Sequence, residues 1–176
     1  MYILAGTKKG MRLKVPKEGT RPTTNKIKKS LFDSIQYLIE GACVLDLFAG
    51  SGSLGLEALS RGAQTATFVE KDAVAIECIK KNVETLGFSS QTTLIPYPVD
   101  RSISYLKEYD LIFVDPPYDL DIKNLVEEVR SHLKQGGLMI VEQSKRTKFL
   151  EDLPFNKKKE YGDTVNYFFE KIARKS

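Results

Sequence analysis

The chain has 176 residues, 41% of them hydrophobic and 28% charged, which is an ordinary composition for one globular domain. No uninterrupted apolar run approaches the ~20 residues of a membrane-spanning helix, and the first residues lack the basic-then-apolar order of a secretion signal. The two cysteines, Cys43 and Cys78, belong to no metal-spaced cluster. These features argue against a membrane protein, a disulfide framework and a metal site, and they predict a reducing, cytoplasmic environment.

The net charge of +4 is concentrated near the N-terminus. Residues 1–40 contain nine Lys or Arg and three acidic residues, a net charge of +6, so the remaining residues carry −2. A basic segment before a nearly neutral body is typical of a polyanion-binding surface, although a solvated charged face would look the same. We predict a basic extension over residues 1–40 and a main domain over residues 41–176. The candidate nucleic-acid contacts are Lys8, Lys9, Arg12, Arg21, Lys26 and Lys29.

The basic extension is predicted to form a small hairpin followed by a helix. Polar residues and Gly10 separate two short stretches at residues 2–4 and 11–13, which is typical of a hairpin. Apolar residues then recur at helical spacing over residues 24–39, and Gly41 ends the helix.

From Cys43 onward the pattern alternates between strands and helices. Strands are predicted at residues 43–48, 65–70, 92–96, 110–115, 138–142 and 164–171. Helices are predicted after the glycine loop that follows residue 48, after Asp72 as a capping residue, and at residues 100–108 and 121–133. Strands separated by helices imply parallel βαβ units, and their continuous apolar character indicates a sheet covered on both faces.

A glycine-rich loop follows the first predicted strand. Within Asp46-Leu47-Phe48-Ala49-Gly50-Ser51-Gly52-Ser53-Leu54-Gly55, three glycines have the G-x-G-x-x-G spacing of nucleotide-binding loops. Glu70 comes 15 residues after Gly55, at the end of the second strand, where a carboxylate can accept hydrogen bonds from both ribose hydroxyls of an adenosine. Such loops are often only structural, but the loop, its strand context and Glu70 together favour an adenosine cofactor.

Two adenosine cofactors fit this loop, NAD and S-adenosylmethionine. NAD would place its pyrophosphate at the N-terminus of the helix that follows, where an anion is favoured. Asp46, near the end of the strand, suits the ammonium and sulfonium of S-adenosylmethionine and would be a poor neighbour for a pyrophosphate. Asp46 could equally be an acid that braces the loop through backbone amides. The glycine motif alone therefore leaves the two cofactors open.

The motif Asp115-Pro116-Pro117-Tyr118 favours methyl transfer. It follows the apolar run Leu111-Ile112-Phe113-Val114, and ligands of open α/β sheets bind at such strand ends. Because proline has no backbone N–H, the carboxylate of Asp115 and the carbonyl of Pro116 are available to accept both hydrogens of an –NH2 group. Tyr118 offers a flat face on which an extruded base can stack. A plain polar turn is the alternative, since Asp-Pro pairs are common in turns, but the Pro-Pro-aromatic continuation favours function.

With these two motifs, the chain resembles a known family. The glycine loop and the Asp-Pro-Pro-Tyr motif resemble the signature pair of amino-methyltransferases that act on adenine N6 or guanine N2. The chain is more similar still to the RsmD family, which methylates guanine N2 in bacterial 16S ribosomal RNA. The similarity covers nearly the whole chain and includes the segments at residues 3–10, 21–32, 46–62 and 69–72. Asn25 departs from the family's usual Asp, and Lys26, Lys28 and Lys29 stand where arginines are common.

The resemblance implies a fold, a cofactor and a set of site residues. The fold would be a Rossmann-like class I methyltransferase fold of the α/β class, with a mostly parallel seven-stranded sheet, helices on both faces and the small N-terminal hairpin and helix. The catalytic residues would be Asp115, Pro116, Pro117 and Tyr118. The residues that bind S-adenosylmethionine would be Asp46, Phe48, Ala49, Gly50, Ser51, Gly52, Glu70, Lys71, Asp100 and Asp115.

The implied partner is 16S ribosomal RNA, free or within the small ribosomal subunit, and the enzyme is expected to act as a monomer. Asp100 falls where the family contacts adenine, but it could instead cap a helix. Three rival functions stay open: an adenine-N6 or other guanine-N2 methyltransferase acting on a different RNA or DNA, an NAD-dependent oxidoreductase, and a non-catalytic RNA-binding module. The oxidoreductase would need a proton-transfer residue, and the sequence offers no clear one.

Overall fold

The computed structural model describes residues 1–16, 25–117, 120–147 and 149–172. Its helices are α1 (Asn25–Ile35), α2 (Ser53–Ser60), α3 (Ala73–Leu86), α4 (Val99–Ser102) and α5 (Lys123–Arg130). Its strands are β1 (Cys43–Leu47), β2 (Thr65–Val69), β3 (Thr92–Ile95), β4 (Tyr109–Val114), β5 (Leu133–Ser144), β6 (Lys157–Tyr161) and β7 (Thr164–Glu170). Short 3₁₀ turns at Gln36–Leu38, Ser89–Gln91 and Ile103–Tyr105 complete the regular structure of these residues.

The seven strands form one mixed sheet in the order β3-β2-β1-β4-β5-β7-β6. Neighbouring strands from β3 to β5 are parallel, whereas β7 runs antiparallel to both β5 and β6. The chain moves outward from β1 to β3 and then returns to place β4 on the other side of β1. This reversal puts a crevice above the carboxyl ends of β1 and β4, which is where open α/β sheets bind their ligands. The predicted class I methyltransferase fold, with a mostly parallel seven-stranded sheet, is confirmed.

Hydrophobic clusters cover both faces of the sheet. On one face, side chains of α1, α2 and α3 pack with inward-facing residues of the central strands, such as Phe32 against Phe113 with ring centroids 5.6 Å apart. On the other face, Val126 and Val129 of α5 pack with Met139, Tyr167 and their neighbours. The predicted two-sided burial of the strands is therefore correct, and it explains their continuous apolar sequences.

The N-terminal residues share the first of these clusters. Ile3 and Leu13 are almost completely buried there. Tyr2 and Arg12 form an antiparallel β-bridge in the predicted hairpin. The described residues of this N-terminal segment therefore pack continuously with the rest of the chain. The division at residue 40 remains a prediction about which residues contact RNA. Within the described residues, no helix is long and apolar enough to cross a membrane.

Several element boundaries differ from the sequence prediction. The helix predicted at residues 24–39 is helical from Asn25 to Ile35 and continues as a 3₁₀ turn, and Thr24 lies outside the described residues. The helices predicted at residues 100–108 and 121–133 are shorter, and β5 begins five residues before its predicted start. Asp72 caps α3 as predicted, because its side chain accepts a hydrogen bond of 2.8 Å from the Ala75 N–H.

The sequence pattern does not predict strand β6. Its sequence Lys-Lys-Lys-Glu-Tyr has no apolar alternation, and it lies at the edge of the sheet, paired only with β7 among the described strands. Charged side chains are typical of edge strands because they discourage pairing with another chain. The strand is specified by its hairpin pairing with β7 and not by an apolar pattern of its own.

Candidate active site at the carboxyl edge of the sheet

The predicted site residues meet where β1, β2 and β4 end. These strands are adjacent and parallel, so the glycine loop after β1, Glu70 after β2 and Asp115 after β4 emerge at one edge of the sheet. The backbone N–H of Ala49 donates to the Val69 carbonyl at 3.1 Å, and the Asp115 N–H approaches the Leu47 carbonyl at 3.5 Å. The three segments are thus tied together by backbone contacts.

The loop itself is a tight turn with an unusual backbone. Gly50 and Gly52 have φ angles of +56° and +76°, and Phe48 reaches +56° without being a glycine. A non-glycine residue in the left-handed region costs of order 1 kcal/mol or more, and such residues cluster at ligand sites. Gly52 then leads directly into α2, so the loop ends at a helix N-terminus.

Gly55 is required for close packing. A Cβ atom at this position would lie 2.4 Å from the Phe68 ring of β2, a distance that real contacts do not reach. The absence of a side chain lets α2 lie close to the sheet, where the Gly55 N–H donates to Oδ2 of Asp46 at 2.9 Å. Asp46 therefore braces the loop through a backbone amide, one of the two roles that its position suggested.

The carboxylate of Glu70 accepts hydrogen bonds from three backbone N–H groups. Its Oε2 accepts from Gly50 at 2.8 Å, and its Oε1 accepts from Lys71 and Asp72 at 2.8 and 2.9 Å. The carboxylate is partly exposed beside the loop, which is the place that the sequence assigned to a ribose ligand. The side chain of Lys71 is exposed, and the residue contributes an N–H to this turn.

The site is strongly acidic. Asp46 is 1% exposed, and burial raises the pKa of its carboxyl well above the usual range, opposed by the hydrogen bond from Gly55. The negative charges of Asp115 and Glu70 raise the pKa of Asp46 further. Three carboxylates around one loop repel each other, so a cationic ligand is electrostatically favoured here over an anionic one such as a pyrophosphate.

The Asp-Pro-Pro segment follows β4 directly. Asp115 is half-buried, Pro116 is buried and Pro117 is exposed. Because neither proline has an N–H, this turn presents acceptors without competing backbone donors. Tyr118, the predicted stacking residue, lies outside the described residues, as does the predicted RNA contact Arg21.

Asp100 lies at the same edge of the sheet, beyond β3. It is exposed in the first turn of α4, whose N-cap position is Pro98. The alternative that Asp100 caps this helix is therefore wrong, and its contact with an adenine remains a prediction.

Within the described residues, the predicted basic contacts fall into two groups, and Arg12 belongs to the hairpin group through its bridge with Tyr2. Lys26 and Lys29 are exposed on the first turns of α1. Lys8 and Lys9 lie at the hairpin tip near Ser60, where the Lys8 N–H donates to the Ser60 Oγ at 3.0 Å. Since Ser60 is the last residue of α2 and the glycine loop precedes its first, the tip lies about 12 Å from the loop. The structure therefore places Lys8 and Lys9 at the far end of α2, while Lys26 and Lys29 flank Lys28, which contacts Ser53 at the start of α2.

Lys28 belongs to the interior and not to this basic surface. Its side chain is fully buried and forms an ion pair of 3.1 Å with the equally buried Glu57. Its Nζ also donates to the Tyr2 carbonyl and the Ser53 Oγ. Burial lowers the pKa of Lys28, opposed by Glu57. This lysine fastens the N-terminal hairpin to the start of α2.

Asn82 and Glu57 are positioning residues that the sequence did not reveal. The Asn82 amide donates to the carbonyls of Lys14 and Ser51, so it joins the N-terminal segment to the glycine loop. Glu57 accepts from the N–H groups of Leu4 and Ala5. A polar residue on the inner face of a helix was the available signal, but these partners of the two residues are 31 to 68 residues away along the chain.

The chain is similar to known methyltransferases over nearly its whole length. The family model described as "Conserved hypothetical protein 95" matches residues 1–170. The chain is 35% identical to the Putative rRNA methyltransferase YlbH of Bacillus subtilis, over 97% of this chain and 99% of that one. It is 38% identical to the Ribosomal RNA small subunit methyltransferase D of Haemophilus influenzae, over 81% of this chain and 78% of that one.

A solved structure agrees with this assignment. The putative methyltransferase yhhF from Escherichia coli has a TM-score of 0.84 and 29% identity, covering 99% of both chains. The matches extend over the glycine loop, Glu70 and the Asp-Pro-Pro-Tyr motif, which all lie within residues 1–170. The chain therefore belongs to the RsmD family of ribosomal RNA methyltransferases.

Proposed function

We propose that the protein transfers a methyl group from S-adenosylmethionine to the exocyclic N2 amine of a specific guanine in 16S ribosomal RNA. The observation that carries this proposal is the position of Asp115-Pro116 beside the glycine loop, joined through the contact of the Asp115 N–H with the Leu47 carbonyl. An amine acceptor is thereby adjacent to a site suited to an adenosine cofactor. The membership in the RsmD family supports the same reaction.

The residues of the site fit this cofactor. S-Adenosylmethionine supplies an electrophilic methyl group on a sulfonium cation. The acidic surroundings of Asp46, Glu70 and Asp115 favour such a cation. Glu70 would accept from the ribose hydroxyls, the loop from Phe48 to Gly52 would hold the methionine part, and Asp100 would accept from the adenine amine.

Asp115 and Pro116 would orient the target. The carboxylate and the carbonyl accept both hydrogens of the amine, which directs the nitrogen lone pair toward the methyl group. A base must leave its stack to reach this edge, as in other base-modifying enzymes, and Tyr118 would provide its stacking face. Much of the acceleration is then positioning, and no strong base is required because the amine becomes acidic only as it is alkylated.

The basic extension would hold the RNA. Lys8, Lys9 and Arg12 lie on the hairpin, whose tip contacts the end of α2, and Lys26 and Lys29 are exposed on α1, whose Lys28 contacts the start of α2. RNA is recognised largely through its backbone, its shape and splayed-out bases, so a basic flank beside the active site is the expected arrangement.

The decisive experiment is the transfer of labelled methyl groups to small subunits from a strain that lacks this enzyme. Digestion of the product RNA is expected to yield labelled N2-methylguanosine. Labelled N6-methyladenosine as the sole product would assign the protein to the rival substrate class. Fully methylated small subunits from the parent strain serve as the matched control and should accept no label.

A further inference from the structure

The carboxyl edge of the sheet carries two further polar side chains beside Asp115. Val114 of β4 pairs with Val141 of β5, so Asp115 lies alongside Glu142, and Glu142 pairs with Asn166 of β7. Two positions further into the sheet, Phe113 pairs with Ile140, and Ile140 pairs with Phe168 of the antiparallel strand β7. Because side chains alternate between the faces of a strand, Asp115, Glu142 and Asn166 project from one face in a row.

Asn166 is an unsatisfied buried amide in this row. Its side chain is completely buried, and within the described residues neither Nδ2 nor Oδ1 has a hydrogen-bond partner. An unpaired buried polar group is costly, so such groups are few in native structures and call for an explanation. A ligand that supplies the missing partner is one explanation.

The three polar side chains line a common cavity. Its volume is about 10 Å³, and its other walls are the apolar side chains of α1, α2 and the strands, namely Leu31, Leu54, Phe113, Val114 and Ile140. Glu142 is 9% exposed and Asp115 is half-buried, so the row becomes deeper from β4 to β7. A cavity of this size has room for about one water-sized group, such as a polar atom at the edge of a base, and a ring would have to remain outside it.

We propose that Glu142 and Asn166 read the Watson–Crick edge of the target base and select guanine, an inference that rests on the proposed function. Guanine presents the N2 amine, the N1–H donor and the O6 acceptor in that order along one edge. Asp115, Glu142 and Asn166 present a carboxylate, a carboxylate and an amide in the same order across neighbouring strands. Glu142 accepts from N1–H, and Nδ2 of Asn166 donates to O6.

This arrangement discriminates against adenine. Adenine has an acceptor at N1 and an amine in place of O6, so the carboxylate of Glu142 would face a lone pair. A site built to pair with specific polar groups rejects an analogue that leaves them unpaired. Asp115 and Pro116 alone would accept either amine, so the selectivity belongs to Glu142 and Asn166.

The test is steady-state methylation of small subunits lacking the modification. Glu142→Gln is expected to lower kcat/KM by about 10- to 100-fold, the range for a lost hydrogen bond to a charged group, and Asn166→Asp should lower it as well. Gln143→Met is the matched control, because Gln143 is also buried on β5 but projects from the opposite face. Thermal melting of each variant shows that it is folded, and S-adenosylmethionine affinity should stay within about twofold of wild type.

A second readout isolates the contact with N1. Inosine and adenosine differ at this edge, since inosine has N1–H and O6 whereas adenosine has neither. As inhibitors competitive with RNA, measured at saturating S-adenosylmethionine so that the cofactor site is occupied, inosine should bind the wild type more tightly than adenosine, and Glu142→Gln should remove most of that preference. An unchanged preference, no preference in the wild type, or a Glu142→Gln variant with normal kcat/KM would each overturn the inference. Production of N2-methylguanosine by the wild type in those cases would leave the proposed function intact.

Discussion

Asp46 is a carboxylate whose burial raises its pKa, so its negative charge is unfavourable in the ligand-free fold and would favour a cationic ligand. It is buried near two other acids, and it accepts a hydrogen bond from the Gly55 backbone N–H. A bound cation would compensate this charge. The stability of the protein without cofactor should therefore depend on the protonation of Asp46.

The first prediction concerns Asp46→Asn. The pKa of Asp46 is raised in the fold, so between pH 4 and pH 7 the folded chain binds more protons at this site than the unfolded chain, and this contribution to stability falls as pH rises. Asparagine keeps an oxygen that accepts from the Gly55 N–H, but it does not titrate. The variant therefore does not lose stability at this site as the pH rises. Its free energy of unfolding relative to wild type should increase from pH 4 to pH 7, measured by urea denaturation.

The same variant should lose cofactor affinity even though its relative stability rises with pH. Asparagine cannot attract a sulfonium or an ammonium, so binding of S-adenosylmethionine should weaken at pH 7. A difference in unfolding free energy that does not vary with pH would show that Asp46 titrates normally in the folded protein.

The second prediction concerns Asp115→Asn. Asparagine keeps the shape and one acceptor oxygen, but it loses the charge and can turn its own NH2 toward the substrate amine. Charge-assisted hydrogen bonds are roughly twice as strong as neutral ones. If this bond tightens as the amine nitrogen becomes tetrahedral, its loss affects the transition state more than binding. Single-turnover methylation at saturating small subunits should slow by on the order of 10²-fold or more.

Cofactor binding distinguishes this role from a structural one. Calorimetry with Asp115→Asn should give an S-adenosylmethionine affinity near that of wild type. Normal turnover by the variant would mean that Asp115 only forms the turn after β4.

At the scale of elements, α2 links the site to the basic extension. The N-terminal hairpin runs along it, held by Glu57 in its middle and Ser60 at its end, while Lys28 ties Tyr2 to Ser53 at its start. Removing one member of a buried ion pair leaves an uncompensated charge. The pair of Lys28 and Glu57 therefore fixes where the basic residues lie relative to the active site.

The third prediction concerns the hairpin. Simultaneous substitution of Lys8, Lys9 and Arg12 by Gln should weaken RNA binding and flatten its salt dependence by roughly 0.7–0.9 in the log–log slope per lost contact. Fluorescence anisotropy with 16S RNA at several salt concentrations measures the slope. The exposed lysines Lys80, Lys107 and Lys157 lie outside the extension and give a control with the same change in charge. Equal slopes for the two triple variants would place the RNA elsewhere.

At the scale of the whole molecule, the site joins segments from both halves of the sheet. Residues that follow β1, β2 and β4 form it, and the order of these strands depends on the reversal at β1. A ligand that binds only the folded state stabilises it by mass action. The cofactor should therefore raise the melting temperature of the complete domain.

The fourth prediction quantifies this linkage. S-Adenosylmethionine at 100 times its Kd contributes about 2.7 kcal/mol, which corresponds to a rise in Tm of about 5–10 °C for a domain of this size. NADH at the same concentration should cause no rise. Glu70→Ala should shrink the shift at a fixed ligand concentration, and scanning calorimetry measures all three. A shift with NADH alone would return the protein to the oxidoreductase class.

Local sequence was sufficient to identify the central strands, the glycine loop and the Asp-Pro-Pro-Tyr motif. Each depends on residues adjacent in the chain: apolar runs for two-sided burial, Gly50 and Gly52 for left-handed backbone angles, and prolines for a turn without donors. Asp72 could be identified as a cap for the same reason. The family resemblance added the mostly parallel seven-stranded sheet and the cofactor.

Only the tertiary structure determined which distant residues come together. Strand β6 is specified by its pairing with β7, Lys28 is buried because Glu57 lies opposite it, and Asn82 joins Lys14 to Ser51. The row of Asp115, Glu142 and Asn166 likewise depends on the register of three strands. Hydrogen bonds and ion pairs between residues far apart in the chain leave no periodic signal in the sequence, because each partner alone looks like an ordinary polar residue.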